Sequence, residues 1–91
     1  MTIDDAFEIS TGVIAQKVGD EVVVLDVGSG TYFGLDPVGA RIWEMIGEGW
    51  TLLRICDAML VEYDVTRETM ECDILNLVEA LRKENLVGAR R

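Results

Sequence analysis

The sequence predicts a single α+β domain in which three antiparallel strands are followed by three helices, in the order βββααα. Glycine-containing turns at residues 19–20 (Gly-Asp) and 28–30 (Gly-Ser-Gly) separate runs rich in β-branched and aromatic residues, which is the pattern of consecutive hairpins. The pair Asp36 and Pro37 then gives an abrupt helix entry, because aspartate is a favoured N-cap and proline suits the first helical position. Beyond this point, apolar residues recur at helical spacing in three stretches.

The three predicted strands cover residues 13–18, 21–27 and 31–35. The second contains Val-Val-Val-Leu at residues 22–25, which is apolar on both faces, as expected for a strand paired along both edges and covered on one side. Residues 1–12 show weak periodicity, so we expect them to form a loose lead-in to a domain over residues 13–88. A chain of 91 residues is long enough for one hydrophobic core.

Three amphipathic helices are predicted after the strands. The first covers about residues 37–46 and is expected to close at Gly47. Thr51 and Thr66 are the predicted N-caps of the second and third helices, and Asn85 is expected to take the left-handed conformation after the third. The apolar positions that predict the buried stripes are Val38, Ile42, Met45, Ile46, Leu52, Ile55, Cys56, Met59, Leu60, Tyr63, Met70, Ile74, Leu77, Val78 and Leu81.

The composition excludes several classes of partner. The formal net charge of -9 opposes binding to phosphate backbones and to anionic membrane surfaces. No stretch of about 18 apolar residues is present, and acids stand at the N-terminus where a signal peptide needs basic and apolar segments. We therefore expect a cytoplasmic protein. Cys56 and Cys72 lack CxxC spacing and are expected to pack inside helices as small hydrophobes.

No feature of the sequence predicts catalysis, a cofactor or a metal site. Histidine is absent, which removes the commonest general base and a common metal ligand. Serine occurs only at Ser10 and Ser29, outside the predicted helices, which excludes an acyl-carrier domain. The acidic residues alternate with arginine and lysine along the helices, which is typical of a solvated surface. Residues 67–84 carry five acids and three bases, so a DNA-reading third helix would be repelled by phosphate.

One segment resembles a known family. Residues 25–43 read Leu-Asp-Val-Gly-Ser-Gly-Thr-Tyr-Phe-Gly-Leu-Asp-Pro-Val-Gly-Ala-Arg-Ile-Trp. They resemble the PqqD-like pattern of a strand and turn, then Tyr-(Tyr/Phe)-x-Leu-(Asn/Asp), then Gly-Ala-x-Ile-Trp. The resemblance covers about residues 13–88. It implies a RiPP recognition element, a small winged-helix-like domain that binds the leader of a ribosomally made precursor peptide and presents the core to modifying enzymes.

Within that family the sequence looks most like the stand-alone leader-binding proteins of lasso-peptide clusters. This resemblance implies two partner enzymes, a separate cysteine protease that removes the leader and a macrocyclase. A peptide chaperone for a radical-SAM enzyme, as in pyrroloquinoline-quinone biosynthesis, is the alternative that the resemblance leaves open. The acidic third helix opposes a third interpretation, a winged-helix DNA-binding protein.

An extended peptide is expected to add as a further strand along residues 31–35, where Gly34 leaves the backbone open to close approach. Its side chains would lie against the third helix, where Asp73 can accept a hydrogen bond. Met70 and Leu77 suit either this site or the core, and the flank of the helix that faces the peptide is left open. The predicted peptide-binding residues are Thr31, Tyr32, Phe33, Gly34, Leu35, Met70, Asp73, Ile74, Leu77 and Ala80.

A second surface is expected to contact the processing enzyme, because a leader-binding protein must also deliver its peptide. The candidate is the outer, acid-rich side of the first two helices, where Val61 is a large apolar residue among charges. Its predicted members are Arg41, Trp43, Glu44, Asp57 and Val61.

Overall fold

The computed structural model describes residues 2–90, which contain five strands and three helices. In chain order these are β1 (Phe7–Ile9), β2 (Val13–Val18), β3 (Glu21–Asp26), β4 (Thr31–Leu35), α1 (Pro37–Gly47), α2 (Leu52–Glu62), α3 (Arg67–Lys83) and β5 (Val87–Ala89). The predicted three-stranded antiparallel sheet and the three helices are confirmed. The two short strands at the ends of the chain were not predicted. The winged-helix-like arrangement stays a prediction.

The sheet of β2, β3 and β4 has β3 at its centre. Tyr32 lies opposite Leu25, which lies opposite Ile14 on the other side, so these three residues share one face of the sheet. The other face carries Val24 and Leu35, which are buried. Helix α1 packs against β3 and β4 on this inner side. One face of the sheet is therefore core, and the other is not covered by any element of residues 2–90.

Each helix begins at the predicted cap. The Asp36 carboxylate accepts a hydrogen bond from the amide N–H three residues later, at 2.7 Å. The hydroxyls of Thr51 and Thr66 cap α2 and α3 in the same way, each at 3.2 Å. A cap of this kind stabilises a helix by about 1 kcal/mol, since it satisfies an amide that has no partner within the helix.

The ends of the helices follow the prediction less closely. Helix α1 continues through Gly47, because the Glu48 N–H still donates to the Glu44 carbonyl, at 3.2 Å. The left-handed residue is Gly49, at φ +83°, so the predicted closure at Gly47 is wrong by two positions. After α3, Asn85 takes φ 59°, as predicted.

The N-terminal segment is part of the folded domain. Strand β1 pairs with β5, with Phe7 opposite Ala89, and Phe7 is buried in the core. The Leu53 amide also donates to the Ile3 carbonyl at 2.7 Å, which ties the segment to the start of α2. The expected loose lead-in is therefore wrong for residues 7–9. A strand of three residues is too short to show the alternation on which the sequence prediction relied.

The core lies between the inner face of the sheet, the three helices and the β1–β5 pair. All three predicted helical stripes contribute to it. Four of the predicted stripe residues are only half-buried at its edge, namely Val38, Leu60, Tyr63 and Leu77. Its members are Phe7, Val22, Val24, Leu35, Ala40, Ile42, Trp43, Met45, Ile46, Leu52, Ile55, Cys56, Met59, Met70, Ile74, Val78, Leu81, Leu86 and Val87.

The two cysteines differ in their surroundings. Cys56 is buried, as predicted, and burial raises the pKa of its thiol, so the uncharged form is favoured. Cys72 is exposed, so its predicted packing is wrong. It lies two residues from Met70 and from Ile74, and a two-residue step crosses to the opposite side of a helix.

None of the helices among residues 2–90 has the length and apolar character needed to cross a bilayer. The longest, α3, has 17 residues, whereas a membrane span takes about 20 mainly apolar ones.

Replacing Phe7 with alanine is expected to lower the free energy of unfolding by about 3–5 kcal/mol, because it empties a buried aromatic site. Urea denaturation followed by circular dichroism measures this change. Glu8→Ala, at the exposed neighbour on β1, is the control and should change the free energy by less than about 0.5 kcal/mol. If Phe7→Ala lowers the free energy of unfolding no more than Glu8→Ala does, the predicted stabilising role of the Phe7 side chain is contradicted.

Cys72 is expected to react with an aromatic disulfide reagent in the native protein, whereas Cys56 should react only after unfolding, since it is buried with a raised pKa. Absorbance of the released thiolate measures both reactions. Cys72→Ser should abolish the fast reaction and leave the slow one. A fast reaction that survives this substitution would show that Cys56 is accessible.

Candidate functional site

Strand β4 has an open edge. It pairs with β3 along one side, and no strand of residues 2–90 pairs with its other side. The outward N–H and C=O groups of such an edge are free to bind a further backbone. Gly34 lies within this strand without a positive φ, and a Cβ built there would meet no atom within 4 Å. A side chain at position 34 would therefore project into open space on the outer face of the sheet.

A groove of about 360 Å³ runs beside this edge, between β4, the start of α1 and α3. Most of its lining side chains are apolar, and two aspartates complete it. The lining residues are Phe33, Gly34, Leu35, Asp36, Val38, Gly39, Ile42, Asp73 and Leu77. The groove is thus continuous with the backbone edge of β4.

The periodicities of the strand and the helix place these side chains. On β4, Phe33 and Leu35 point to the inner face, and Leu35 is buried while Phe33 remains half-buried. On α3, Asp73 and Leu77 are four residues apart and therefore share one side of the helix. The side of α3 that carries Asp73 and Leu77 therefore borders the groove.

The structure brings together five of the ten residues predicted for peptide binding, namely Phe33, Gly34, Leu35, Asp73 and Leu77. Met70 and Ile74 are buried in the core and do not line the groove. Ala80 is half-buried and lies outside the lining. Thr31 is half-buried near the turn, and the exposed Tyr32 belongs to the opposite face of the sheet.

Four lining residues were not predicted, and all belong to the start of α1 or to its cap. Val38 and Ile42 were assigned only to the buried stripe of the helix, although they also border the groove. The glycine at position 39 could have indicated from the sequence that the start of α1 packs closely against β4. A Cβ at this position would lie 3.3 Å from the Asp36 carboxylate and 3.4 Å from Leu35, so a small residue permits close approach of the helix and strand.

The two groove carboxylates differ in how they are engaged. Asp36 Oδ1 accepts the 2.7 Å hydrogen bond from the Gly39 N–H, which commits that oxygen to the helix cap. Asp73 is exposed and forms no ion pair within residues 2–90. The groove therefore offers apolar walls to a side chain, with a carboxylate at the rim that can accept a hydrogen bond from a ligand N–H or O–H. No cluster of metal-ligating side chains occurs in the described part of the chain.

The predicted enzyme-docking surface on α1 and α2 is largely engaged within the molecule. Trp43 is only 5% exposed, so its predicted contact with a partner is wrong. Arg41 pairs with Glu62 at 3.0 Å and with Glu44 at 3.2 Å, and its pKa is raised chiefly by the hydrogen bond to Glu62.

On α2, Asp57 accepts a 2.6 Å hydrogen bond from Arg67 at the start of α3. The same contact raises the pKa of Arg67. Val61, 88% exposed, is the one apolar residue of the predicted set that stands free on the surface. A single exposed valine is normal on the surface of a globular domain.

The chain is similar to known proteins both in sequence and in fold. The sequence pattern of the family described as coenzyme PQQ synthesis protein D (PqqD) matches residues 21–87. No curated protein matches the sequence.

Two solved structures are similar over nearly their whole length. "TbiB1 in Complex with the TbiA(beta) Leader Peptide" has a TM-score of 0.86 and 42% identity, over 92% of this chain and 98% of that one. "Lasso peptide synthetase B1 complexed with the leader peptide" has a TM-score of 0.80 and 29% identity, over 93% of this chain and 98% of that one. Since the family pattern also spans most of the sequence, the resemblance predicted from residues 25–43 is confirmed, and the chain belongs to the PqqD family.

Proposed function

We propose that this protein is a non-catalytic RiPP recognition element that binds the leader of a precursor peptide by strand addition at β4. The observation that carries the proposal is the open edge of β4 beside the groove of about 360 Å³. Both similar solved structures are described as complexes with leader peptides, which supports the same ligand class here.

Strand addition divides recognition between backbone and side chains. Each main-chain hydrogen bond at the β4 edge would contribute about 0.5–1.5 kcal/mol net and would carry little sequence information. Alternate side chains of an added strand point to opposite faces of the sheet. One set would therefore face the groove, where Leu77 and Phe33 offer apolar contact and Asp73 offers a hydrogen-bond acceptor. We propose that these three residues select the leader.

The pathway we favour is lasso-peptide maturation, because one similar structure is described as a lasso peptide synthetase B1. In this role the protein would act in the cytoplasm and present the bound precursor to a separate cysteine protease and to a macrocyclase. The family description favours the second candidate, a peptide chaperone in pyrroloquinoline-quinone biosynthesis. Both candidates require binding of an extended peptide and no cofactor on this chain.

The leader segment is expected to bind with a Kd between about 10 nM and 10 μM, and the core segment is expected to bind far more weakly. Fluorescence anisotropy with separately labelled leader and core peptides measures both affinities. Equal affinities would contradict leader recognition. Duplex DNA is the control for the winged-helix alternative, and tighter binding to it than to the leader would favour that alternative. Mass spectrometry of the precursor after incubation tests the absence of catalysis, since any mass change would contradict it.

Gly34→Pro is expected to weaken leader binding at least about tenfold, because proline removes an N–H from β4 and adds a ring beside the docking edge. The same titration measures this loss. Circular dichroism must show a folded variant, since β4 also pairs with β3. Full affinity in a folded Gly34→Pro protein would place the leader elsewhere.

Gly34→Ala separates the two effects of that substitution. A Cβ at this position meets no atom within 4 Å and the backbone N–H is kept, so alanine should fold normally. We expect its affinity to stay within about threefold of the unaltered protein, a change below about 0.7 kcal/mol. If alanine is as damaging as proline, added bulk and not the lost N–H explains the effect.

A further inference from the structure

The turn between β3 and β4 is held by a cluster of side-chain hydrogen bonds. The Asp26 carboxylate accepts from the Gly28 N–H at 3.2 Å and from the Ser29 hydroxyl at 2.9 Å. Ser29 Oγ also lies 2.9 Å from the Thr31 hydroxyl oxygen and accepts from the Thr31 N–H at 3.2 Å. The Gly30 N–H completes the turn by donating to the Asp26 carbonyl, at 2.8 Å. We refer to Asp26, Ser29 and Thr31 as the turn cluster.

The Ser29 hydroxyl is the centre of the turn cluster. A hydroxyl has one proton to donate and two lone pairs with which to accept. A carboxylate can only accept, so the Ser29 proton goes to Asp26, and the Thr31 hydroxyl is the donor in the contact between the two hydroxyls. Together with the Thr31 N–H, this bond fills both lone pairs of Ser29 Oγ. Ser29 therefore uses its whole hydrogen-bonding capacity within the turn, although the residue is exposed.

The other hairpin turn of the sheet has no such cluster. Between β2 and β3, Gly19 and Asp20 form a two-residue turn, with Gly19 at φ 64°. No side chain of this turn forms a hydrogen bond within residues 2–90. A two-residue turn is tight by itself, whereas the four residues between β3 and β4 have more conformations to lose. The side-chain hydrogen bonds thus occur at the longer turn, which leads into the strand with the open edge.

The hydrogen-bond pattern of the sheet indicates which backbone groups of β4 face that edge. In antiparallel pairing, successive residues of a strand direct their N–H and C=O groups alternately to its two sides. The Val27 N–H donates to the Gly12 carbonyl, on the β2 side, at 3.0 Å. Asp26 and every second residue before it therefore direct their groups to β4. Their partners are alternate residues of β4 beginning with the first, so Tyr32 and Gly34 direct their groups to the open edge.

Strand β4 is short and unpaired on its outer side, so its position depends on β3 and on its own two ends. It has five residues, and no strand of residues 2–90 pairs with its outer side. At the C-terminal end, Asp36 caps α1 and fixes the junction. At the N-terminal end, Tyr32 directly follows Thr31, the last member of the turn cluster. The turn cluster therefore lies next to the first position at which an added strand would pair.

We propose that Ser29, held by Asp26, is a positioning residue for leader binding, because it orders the turn so that the Tyr32 N–H and C=O face outward before the leader arrives. This proposal rests on the proposed function. Ser29 acts through the turn and does not touch the leader. When only a fraction of a protein has the competent conformation, its apparent affinity falls by that fraction. The turn cluster raises this fraction, so it speeds association and leaves dissociation unaltered.

The test is stopped-flow anisotropy of Ser29→Ala with the labelled leader peptide. Alanine removes both the donor to Asp26 and the acceptor for the Thr31 N–H. We expect the association rate constant to fall at least about fivefold, while the dissociation rate constant stays within about twofold. Circular dichroism checks that the variant is folded.

Ser10→Ala is the matched control. Ser10 is the only other serine of the chain, and its hydroxyl forms no hydrogen bond within residues 2–90. Both of its rate constants should stay within about twofold of those of the unaltered protein.

Two further variants separate the hydroxyl from the rest of the side chain. Ser29→Thr keeps the hydroxyl and should return both rate constants to within about twofold of the unaltered values. Asp26→Ala should slow association as Ser29→Ala does. The double variant should be slower than either single variant by no more than about twofold, because the two side chains act through one contact.

Hydrogen exchange gives a measurement in the free protein. The Phe33 N–H pairs with β3, so its exchange reports opening of β4. In Ser29→Ala this amide should exchange at least about threefold faster, while the amides of α3 keep their rates.

The outcomes separate this proposal from the proposed function. Faster dissociation of Ser29→Ala with unaltered association would show that Ser29 contacts the leader directly, and it would overturn the proposal. Unaltered rate constants in Ser29→Ala, or a Ser29→Thr protein as slow as the alanine variant, would also overturn it and leave leader binding itself standing. If the unaltered protein binds no leader, the proposed function fails, and the positioning role of Ser29 fails with it.

Discussion

The hydrogen bond from the Gly39 amide to the Asp36 carboxylate fixes the point at which the sheet ends and the helices begin. Leu35 is the last residue of β4, Asp36 is the cap, and Pro37 already belongs to α1, so the chain changes from strand to helix without a loop. Such a junction leaves little freedom in the angle between the two elements, because the proline fixes φ and the cap fixes the first turn. The groove exists because α1 leaves β4 at this angle and α3 closes the third side.

The same junction determines which residues of β4 are buried and which are exposed. Leu35 is buried in the core next to the start of α1. Tyr32 and Gly34 face the outer side of the sheet and are exposed. The strand is thus anchored at one end and through its pairing with β3, and no strand of residues 2–90 pairs with its other edge. Backbone recognition suits this arrangement, because an edge held rigidly in place loses little conformational entropy when another strand is added.

The helices and their caps were predictable because their signals are local. A capping side chain lies three residues from the amide that it binds, and the apolar stripes repeat every three or four residues. The short strands β1 and β5 were not predictable, since each has three residues and its partner lies at the other end of the chain. The half of the site on α1 was missed for a related reason. Val38 and Ile42 serve the core and the groove together, and periodicity alone reports only the first of these roles.

The sequence also could not show which apolar residues at the edge of a stripe are covered. Trp43 lies off the main stripe of α1 and is nevertheless buried, because a large ring can reach the core from the side of a helix. Met70 and Leu77 looked alike in the sequence, yet Met70 is buried and Leu77 lines the groove. These distinctions depend on how the helices are placed against one another, which neighbouring residues do not encode.

The pairing of β1 with β5 brings the two ends of the domain side by side, with Phe7 opposite Ala89. Neither strand contributes a residue to the groove next to α3. A linker attached at either end would leave the domain close to this pair of strands. Adjacent termini of this kind allow a domain to be inserted within a longer polypeptide, or linked to one at either end, without a change to its fold.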